Sequence, residues 1–277
     1  MPGTLFLVAT PIGNLGDLTA RAAETLARVD FVVCEDTRHS GNLLASLGLQ
    51  KQTMSLPAFA EKARAGRILE RLAAGEDAAL VTDAGMPAVS DPGEFLVAVA
   101  LEAGVRVVPI PGASAVVTAL AASGLPTSRF HFLGFLPRKG PGRTAMLDEV
   151  AGLRASLVLY ESPRRVADTL GDLATALGDR RAVVARELTK LHEEFVRGRL
   201  SELAARYAGE PPRGEVVLVV EGWTADERWA EAEVRAALSA GLARGERLKT
   251  LSAEVARASG WPSAQVYRMG NDLKRDG

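Results

Sequence analysis

Charged residues gather directly behind short apolar runs in this chain. EDTRHS (residues 35–40) follows DFVVC, YESPRR (160–165) follows SLVL, and RELTKLHEE (186–194) follows AVVA. Positions just beyond a buried β-run are where functional side chains collect. Asp36 and Arg38 can face a cleft there as a proton acceptor and a phosphate clamp. A helix cap by Asp36 or Thr37 is the plainer alternative. Glu161, Glu187, Lys190 and Glu193 have the same placement, and ion pairs between neighbouring loops would account for them equally well.

Three further loops have the composition of a ligand site. ATPIGNLGDLTARA (residues 9–22) brings Pro11, Gly13 and Gly16 to the end of an apolar run, where glycine permits close backbone approach and proline fixes φ. TDAGMPAVSDPG (82–93) packs two aspartates, two prolines and two glycines into one connection. That loop offers backbone donors and acceptors in fixed directions, suited to an adenine edge or an amino-carboxylate. PIPGASA (109–115) ends in Ser114 and Ala115, whose amides can bind a polar group at a helix start. Tight-turn scaffolding is the competing explanation for all three.

Two nucleotide signatures bear on the class of ligand. The sequence has no G-x-x-x-x-G-K-[ST], so it lacks a P-loop. A formal G-x-G-x-x-A runs from Gly140 to Ala145, but LPRK separates it from the preceding run and Pro141 stiffens its turn. With Arg138, Lys139 and Arg143 around it, the segment reads as a basic flexible loop contacting a phosphate backbone rather than as a dinucleotide fingerprint.

The elements that must position these loops follow from periodicity. TLFLVAT, DFVVCED, AALVTD and VRVVPIP alternate with helical stretches such as LTARAAETLARV and GEFLVAVALEAG, which predicts an α/β domain on a mainly parallel sheet over residues 1–123. Gly124 and Pro126 mark a linker. FHFLGF, SLVLYE, AVVARE and EVVLVVEG then predict a second α/β domain over 127–222. Residues 224–277 read as a helical extension, in which helices carrying Leu251 and Val255, then Val266, Met269 and Leu273, flank Gly260 and Pro262. That pair is either a helix-turn-helix or a plain helical cap.

Composition excludes several classes. The 277 residues are 47% hydrophobic, enough for packed cores. Cys34 is the single cysteine, so neither a disulfide framework nor a thiolate metal cluster is available, no metal is expected, and a reducing cytoplasm is the natural setting. The apolar run near the N-terminus is far shorter than the roughly 20 residues that cross a bilayer. With 33 Lys and Arg against 34 Asp and Glu, any nucleic-acid contact is local. Arginine is densest in the central third, from Arg138 through Arg164, Arg165, Arg180, Arg181, Arg186 and Arg197 to Arg199.

ATPIGNL, EDTR, DAG-x-P-x-x-SDPG, PG-x-SA, GFLPRK, YESP, RELTK-x-x-EEF and GE-x-V occur in this order over almost the whole chain. Together they resemble the ribosomal RNA branch of the tetrapyrrole methylase family. The resemblance implies a two-domain class III methyltransferase fold of α/β type with a small C-terminal helical extension, S-adenosylmethionine in the interdomain cleft, and a homodimer. It implies 2′-O-ribose methylation of a cytidine in the decoding centre of 16S ribosomal RNA, within the small subunit. It carries cofactor contacts to Pro11, Ala84, Gly85, Met86, Val89, Ser114, Ala115, Glu161 and Leu188. Arg164 stands where the family usually has histidine, and LPAFAEKARAG replaces a segment usually rich in histidine and asparagine.

Transfer to a ribose hydroxyl needs collinear positioning and a proton acceptor. The candidate catalytic residues are Asp36 and Glu187 as bases, with Arg38 and Lys190 positioning phosphate. A tetrapyrrole or other small-molecule acceptor is the alternative within methyltransferases; a non-catalytic RNA-binding module and a dehydrogenase are the alternatives outside them.

Overall fold

The computed structural model describes residues 1–224, 229–259, 261 and 263–276. The first half alternates strictly: β1 (Thr4–Val8), α1 (Ala20–Arg28), β2 (Phe31–Cys34), α2 (Thr37–Ser46), β3 (Gln52–Ser55), α3 (Glu61–Ala73), β4 (Ala78–Val81), α4 (Glu94–Glu102), β5 (Arg106–Ile110) and α5 (Ala115–Ser123). The second half holds β6 (Phe130–Phe135), α6 (Pro141–Ala151), β7 (Ser156–Glu161), α7 (Val166–Leu177), β8 (Arg181–Arg186), β9 (Glu194–Arg199), α8 (Leu200–Gly209) and β10 (Val216–Val220). Three helices close the chain: α9 (Glu231–Ala243), α10 (Leu248–Ser259) and α11 (Ser263–Asp276). Gly260 and Pro262, expected at the turn between the last two, lie outside the described residues.

The first sheet runs β3-β2-β4-β1-β5 with every pair parallel. Its inner strands β2, β4 and β1 are short apolar runs that are largely buried, as a sheet covered by helices on each side requires, while the edge strands β3 and β5 are partly exposed. Leu5, Phe31, Val33 and Leu80 pack with Ile68 and Leu72 of α3 and Leu96 of α4. Phe6, Val8, Val32 and Val81 pack on the opposite face with Ala22 and Leu26 of α1 and Leu44 of α2. Because all five strands point one way, the loops after β1, β2, β4 and β5 open on one edge.

The second sheet runs β6-β7-β10-β8-β9, parallel only between β6 and β7. β9 belongs to it although EFVRGR carries no apolar run; it is recruited by pairing with β8 from Arg181↔Arg199 to Arg186↔Glu194. One face buries Leu157, Leu159, Val184 and Leu218 against α6, α7 and α8. The other buries Val158, Val183, Val217 and Val219 against Val116, Ala119 and Leu120 of α5. Thus α5 follows the last strand of the first sheet and covers the second. Arg197 of β9 fastens its far end by donating to the carbonyls of Ala122 (2.6 Å) and Ser123 (3.0 Å).

The tail forms its own cluster, in which Val234 and Leu238 of α9 meet Leu251 and Val255 of α10 and Val266 of α11. Its helices approach closely at Gly241, where an added Cβ would stand 2.4 Å from a Leu251 methyl, and at Gly270, 2.3 Å from a Leu248 methyl.

Candidate functional site

A cavity of about 530 Å3 lies between the two sheets, at the shared edge where the loops open. The loop after β4 contributes Ala84, Gly85, Met86 and Val89, and the start of α5 contributes Ser114 and Ala115. From the second half, Glu161 at the end of β7 and Leu188 after β8 line it as well. Pro11 lies next door, in a second cavity of about 520 Å3.

The loop after β4 owes its shape to strain and to a borrowed cap. Ala88 (φ 67°) and Ser90 (φ 63°) are left-handed, as are Glu187 (φ 50°) and Thr189 (φ 65°) across the cavity. Among the described residues these are the non-glycine positions with positive φ, and all four sit in the two loops that face each other. Gly93 (φ 132°) ends the first of them, and an added Cβ would stand 2.6 Å from a Leu80 methyl. Glu61 of α3 accepts from the amides of Gly93 and Leu96, both at 3.0 Å, and so caps α4 from outside. Thr10 and Gly85 exchange amide hydrogen bonds of 2.9 and 3.1 Å, which ties the loop after β1 to the loop after β4.

Glu161 lines the cavity with its backbone region while its side chain is fully buried behind it. Its Oε1 accepts from the Ser162 amide at 2.7 Å, and its Oε2 from the Thr169 hydroxyl at 2.6 Å. Thr169 in turn accepts from Arg143 (3.0 Å), which also donates to Asp172 (2.7 Å) and the Pro137 carbonyl (3.0 Å). Arg143 is therefore a buried structural residue, which corrects its assignment to a flexible phosphate-contacting loop. Other central arginines are engaged likewise: Arg180 donates to the Leu177 carbonyl, Arg186 to Glu194 and Arg199 to the Asp179 carbonyl. Arg138, Lys139 and Arg164 are exposed.

Of the four candidate catalytic residues, Lys190 alone lines either cavity. Asp36 is the N-cap of α2, its Oδ1 accepting from the Arg38 amide at 2.8 Å, while Arg38 returns a 2.8 Å ion pair at 90% side-chain exposure. Those bonds to Arg38 hold the Asp36 carboxyl down to about 2. Glu187 accepts from Lys190 (3.0 Å) and from the Glu215 amide (3.1 Å), and the bond from Lys190 holds it below the ordinary carboxylate range. Burial pulls the Lys190 ammonium down, but its bonds to Glu187 and Glu215 outweigh that and leave it raised. Asp36 and Glu187 line neither cavity; Lys190 lines the second.

Carboxylates not singled out from the sequence line the first cavity instead: Glu35, Asp83, Asp91 and Glu215. Burial, then the charges of Asp83, Asp91 and Asp36, raise the Glu35 carboxyl. Burial raises Asp91 too, with Asp83 adding to it against the opposing Thr82 hydroxyl. Tyr160, stacked edge-on to Phe132 at 5.1 Å, is pushed up to about 12 by burial and by Asp91 and Glu215. The signal for these residues was present, since each stands inside a motif already noted: EDTR, TDAG, SDPG, YESP or GE-x-V.

Among the described residues no lysine, arginine or histidine lines this cavity. It suits a ligand carrying positive charge, and it is a poor match for a pyrophosphate. The Gly140–Ala145 segment borders another cavity, of about 880 Å3, beside α7 and α8. The dinucleotide reading therefore has no site between the sheets.

Residues 4–204 match the family model described as tetrapyrrole (corrin/porphyrin) methylases. The chain is 44% identical to the ribosomal RNA small subunit methyltransferase I of Synechocystis, over 99% of this chain and 100% of the relative. It is 46% identical to the protein of the same name from Micromonospora olivasterospora, over 96% of this chain and 85% of the relative. A solved diphthine synthase superposes with a TM-score of 0.63 at 19% identity, covering 79% of this chain and 90% of that one. The uroporphyrin-III C-methyltransferase of Thermus thermophilus, complexed with S-adenyl homocysteine, superposes with a TM-score of 0.57 at 22% identity, covering 78% and 97%.

Proposed function

Because the chain belongs to the tetrapyrrole (corrin/porphyrin) methylases, in the branch of the ribosomal RNA small subunit methyltransferases I, we propose that it transfers a methyl group from S-adenosylmethionine to the 2′-hydroxyl of a decoding-centre cytidine in 16S ribosomal RNA. The observation that carries the cofactor is the cation-free, carboxylate-lined cavity of about 530 Å3. That volume is in the range of small-molecule sites. The substrate class rests on the names of the near full-length relatives.

The residues present fit this cofactor. Met86, Val89 and Leu188 offer apolar walls to an adenosine. Ser114 makes no side-chain cap to α5, so the first amides of that helix are open to a carboxylate. Glu35 and Asp91 complement an ammonium and a sulfonium. When bound, S-adenosylmethionine supplies a methyl group activated by the sulfonium. The protein's part is to hold the acceptor oxygen in line with it and to take the hydroxyl proton. Ala84, Gly85, Ala115 and the backbone of Glu161 complete the contact set, and Pro11 acts from the adjoining cavity.

The test is incubation with radiolabelled S-adenosylmethionine and small ribosomal subunits lacking the modification. Label on one ribose of the decoding centre is expected. Cofactor binding without label on subunits or free RNA would turn the reading towards a small-molecule acceptor. Asp36→Asn is expected to keep transfer within about threefold of wild type, because asparagine caps a helix as well as aspartate does; a hundredfold loss would restore Asp36 as a base.

A homodimer and a cytoplasmic location belong to the same reading. No helix among the described residues is long and apolar enough to cross a membrane, which is compatible with work on ribosomal subunits. Sedimentation at micromolar concentration checks the dimer, and a monomer there would remove it.

A further inference from the structure

The first cavity meets the second at Asp83 and Ala84. The second cavity is walled by Gly13 and Leu15 of the first loop, by His39 and Asn42 of α2, and by Lys190. Two ionisable residues line both cavities, Asp83 and Glu215. Glu215 accepts from Lys190 at 3.0 Å with 72% of its side chain exposed. Asp83 is different: its Oδ1 is buried and has no hydrogen-bond partner among the described residues. Folded proteins leave few such oxygens unsatisfied, and a catalytic role is one of the reasons for which they retain one.

The backbone beside Asp83 is tied on both sides. The Thr10 hydroxyl donates to the Thr82 carbonyl at 3.0 Å on one side, and Thr10 and Gly85 exchange amide bonds on the other. Glu35 and Asp91 line only the first cavity. Asp83 is thus the carboxylate fixed at the passage between the two spaces.

We propose that Asp83 is the proton acceptor of the transfer and that the second cavity admits the acceptor ribose; this rests on the methyl-transfer reading above. In the step, the 2′-hydroxyl O–H bond breaks and its proton passes to the Asp83 carboxylate. The oxygen pair forms the bond to the methyl carbon, and the carbon–sulfur pair returns to sulfur, leaving a neutral thioether. The protonated Asp83 then releases its proton to solvent through the second cavity. Lys190, cationic between Glu187 and Glu215, lies on the wall where a phosphodiester would enter, and exposed His39 and Asn42 offer it hydrogen bonds.

The experiment compares wild type with Asp83→Asn, measuring cofactor Kd by calorimetry and single-turnover methylation of small subunits. The expected result is a Kd within about threefold and a rate lowered by about a hundredfold or more, the range for removing a positioned base. A rate above one third of wild type overturns the proposal. If Asp83→Asn fails to bind cofactor, Asn42→Trp decides, because it fills the second cavity alone. Cofactor binding with lost methylation then supports the proposal, and retained methylation overturns it. Wild type that labels no RNA refutes the methyl-transfer reading itself, and this inference falls with it.

Discussion

Gly214→Ala is expected to weaken cofactor binding by about a hundredfold or more. Gly214 leads into Glu215, Val216 and Val217, which line the first cavity, and it holds φ at 82°. A Cβ there would stand 2.0 Å from Glu187 Oε1 and 2.2 Å from Cδ. The carboxylate must move, and with it go its bonds from Lys190 and the Glu215 amide. Each lost bond costs about 1 kcal/mol, and a left-handed non-glycine residue adds about 1–2 kcal/mol. The total of about 3–4 kcal/mol exceeds two decades of affinity if it falls on the cavity wall. Calorimetric titration checks it. An unchanged Kd would mean that the wall does not depend on Glu187. Adding Glu187→Ala removes the clash but not the backbone strain, so the double variant should recover part of the loss and the cycle separates the two causes.

Glu161→Leu is expected to destabilise the fold by about 3 kcal/mol. The substitution leaves the Ser162 amide and the Thr169 hydroxyl without their acceptor and removes the charge that faces Arg165 at 3.5 Å. Removing one partner of a buried pair costs about 3–5 kcal/mol, and the partly exposed Arg165 places this case at the low end. Melting should fall by about 6–12 °C at the 2–4 °C per kcal/mol usual for chains near this size. A fall under 2 °C would show that the network is replaceable by packing. Ser162 and Pro163 line the cavity, so cofactor affinity should fall along with stability.

The legible part of the fold was the part written in local pattern. Apolar runs separated by helical periods located β1, β2, β4 and β5, and the glycine-rich and proline-rich loops after them proved to share one edge because all strands of that sheet are parallel. The illegible part depended on partners distant in sequence. EFVRGR becomes a strand only through its pairing with β8. The helix α5 is apolar all round and reads as belonging to the domain before it, yet it covers the sheet that follows it.

The same division runs through the site. Residue type and order alone settled that Ala84, Gly85, Met86, Val89, Ser114 and Ala115 stand in loops of restricted geometry, since turn chemistry is local. Which charges face the cavity was decided by tertiary structure. Asp36 and Arg38 look catalytic in the string EDTRHS but close on each other at a helix start, while Glu35 beside them turns towards the cavity. Arg143 reads as a surface cation and is buried against Thr169 and Asp172. Asp83 reads as one more loop aspartate and is left with an unpaired oxygen at the meeting of two cavities. Burial and pairing are sums over neighbours drawn from the whole chain, so a charge's availability is a property of the packed molecule, whereas a loop's stiffness is already present in its own residues.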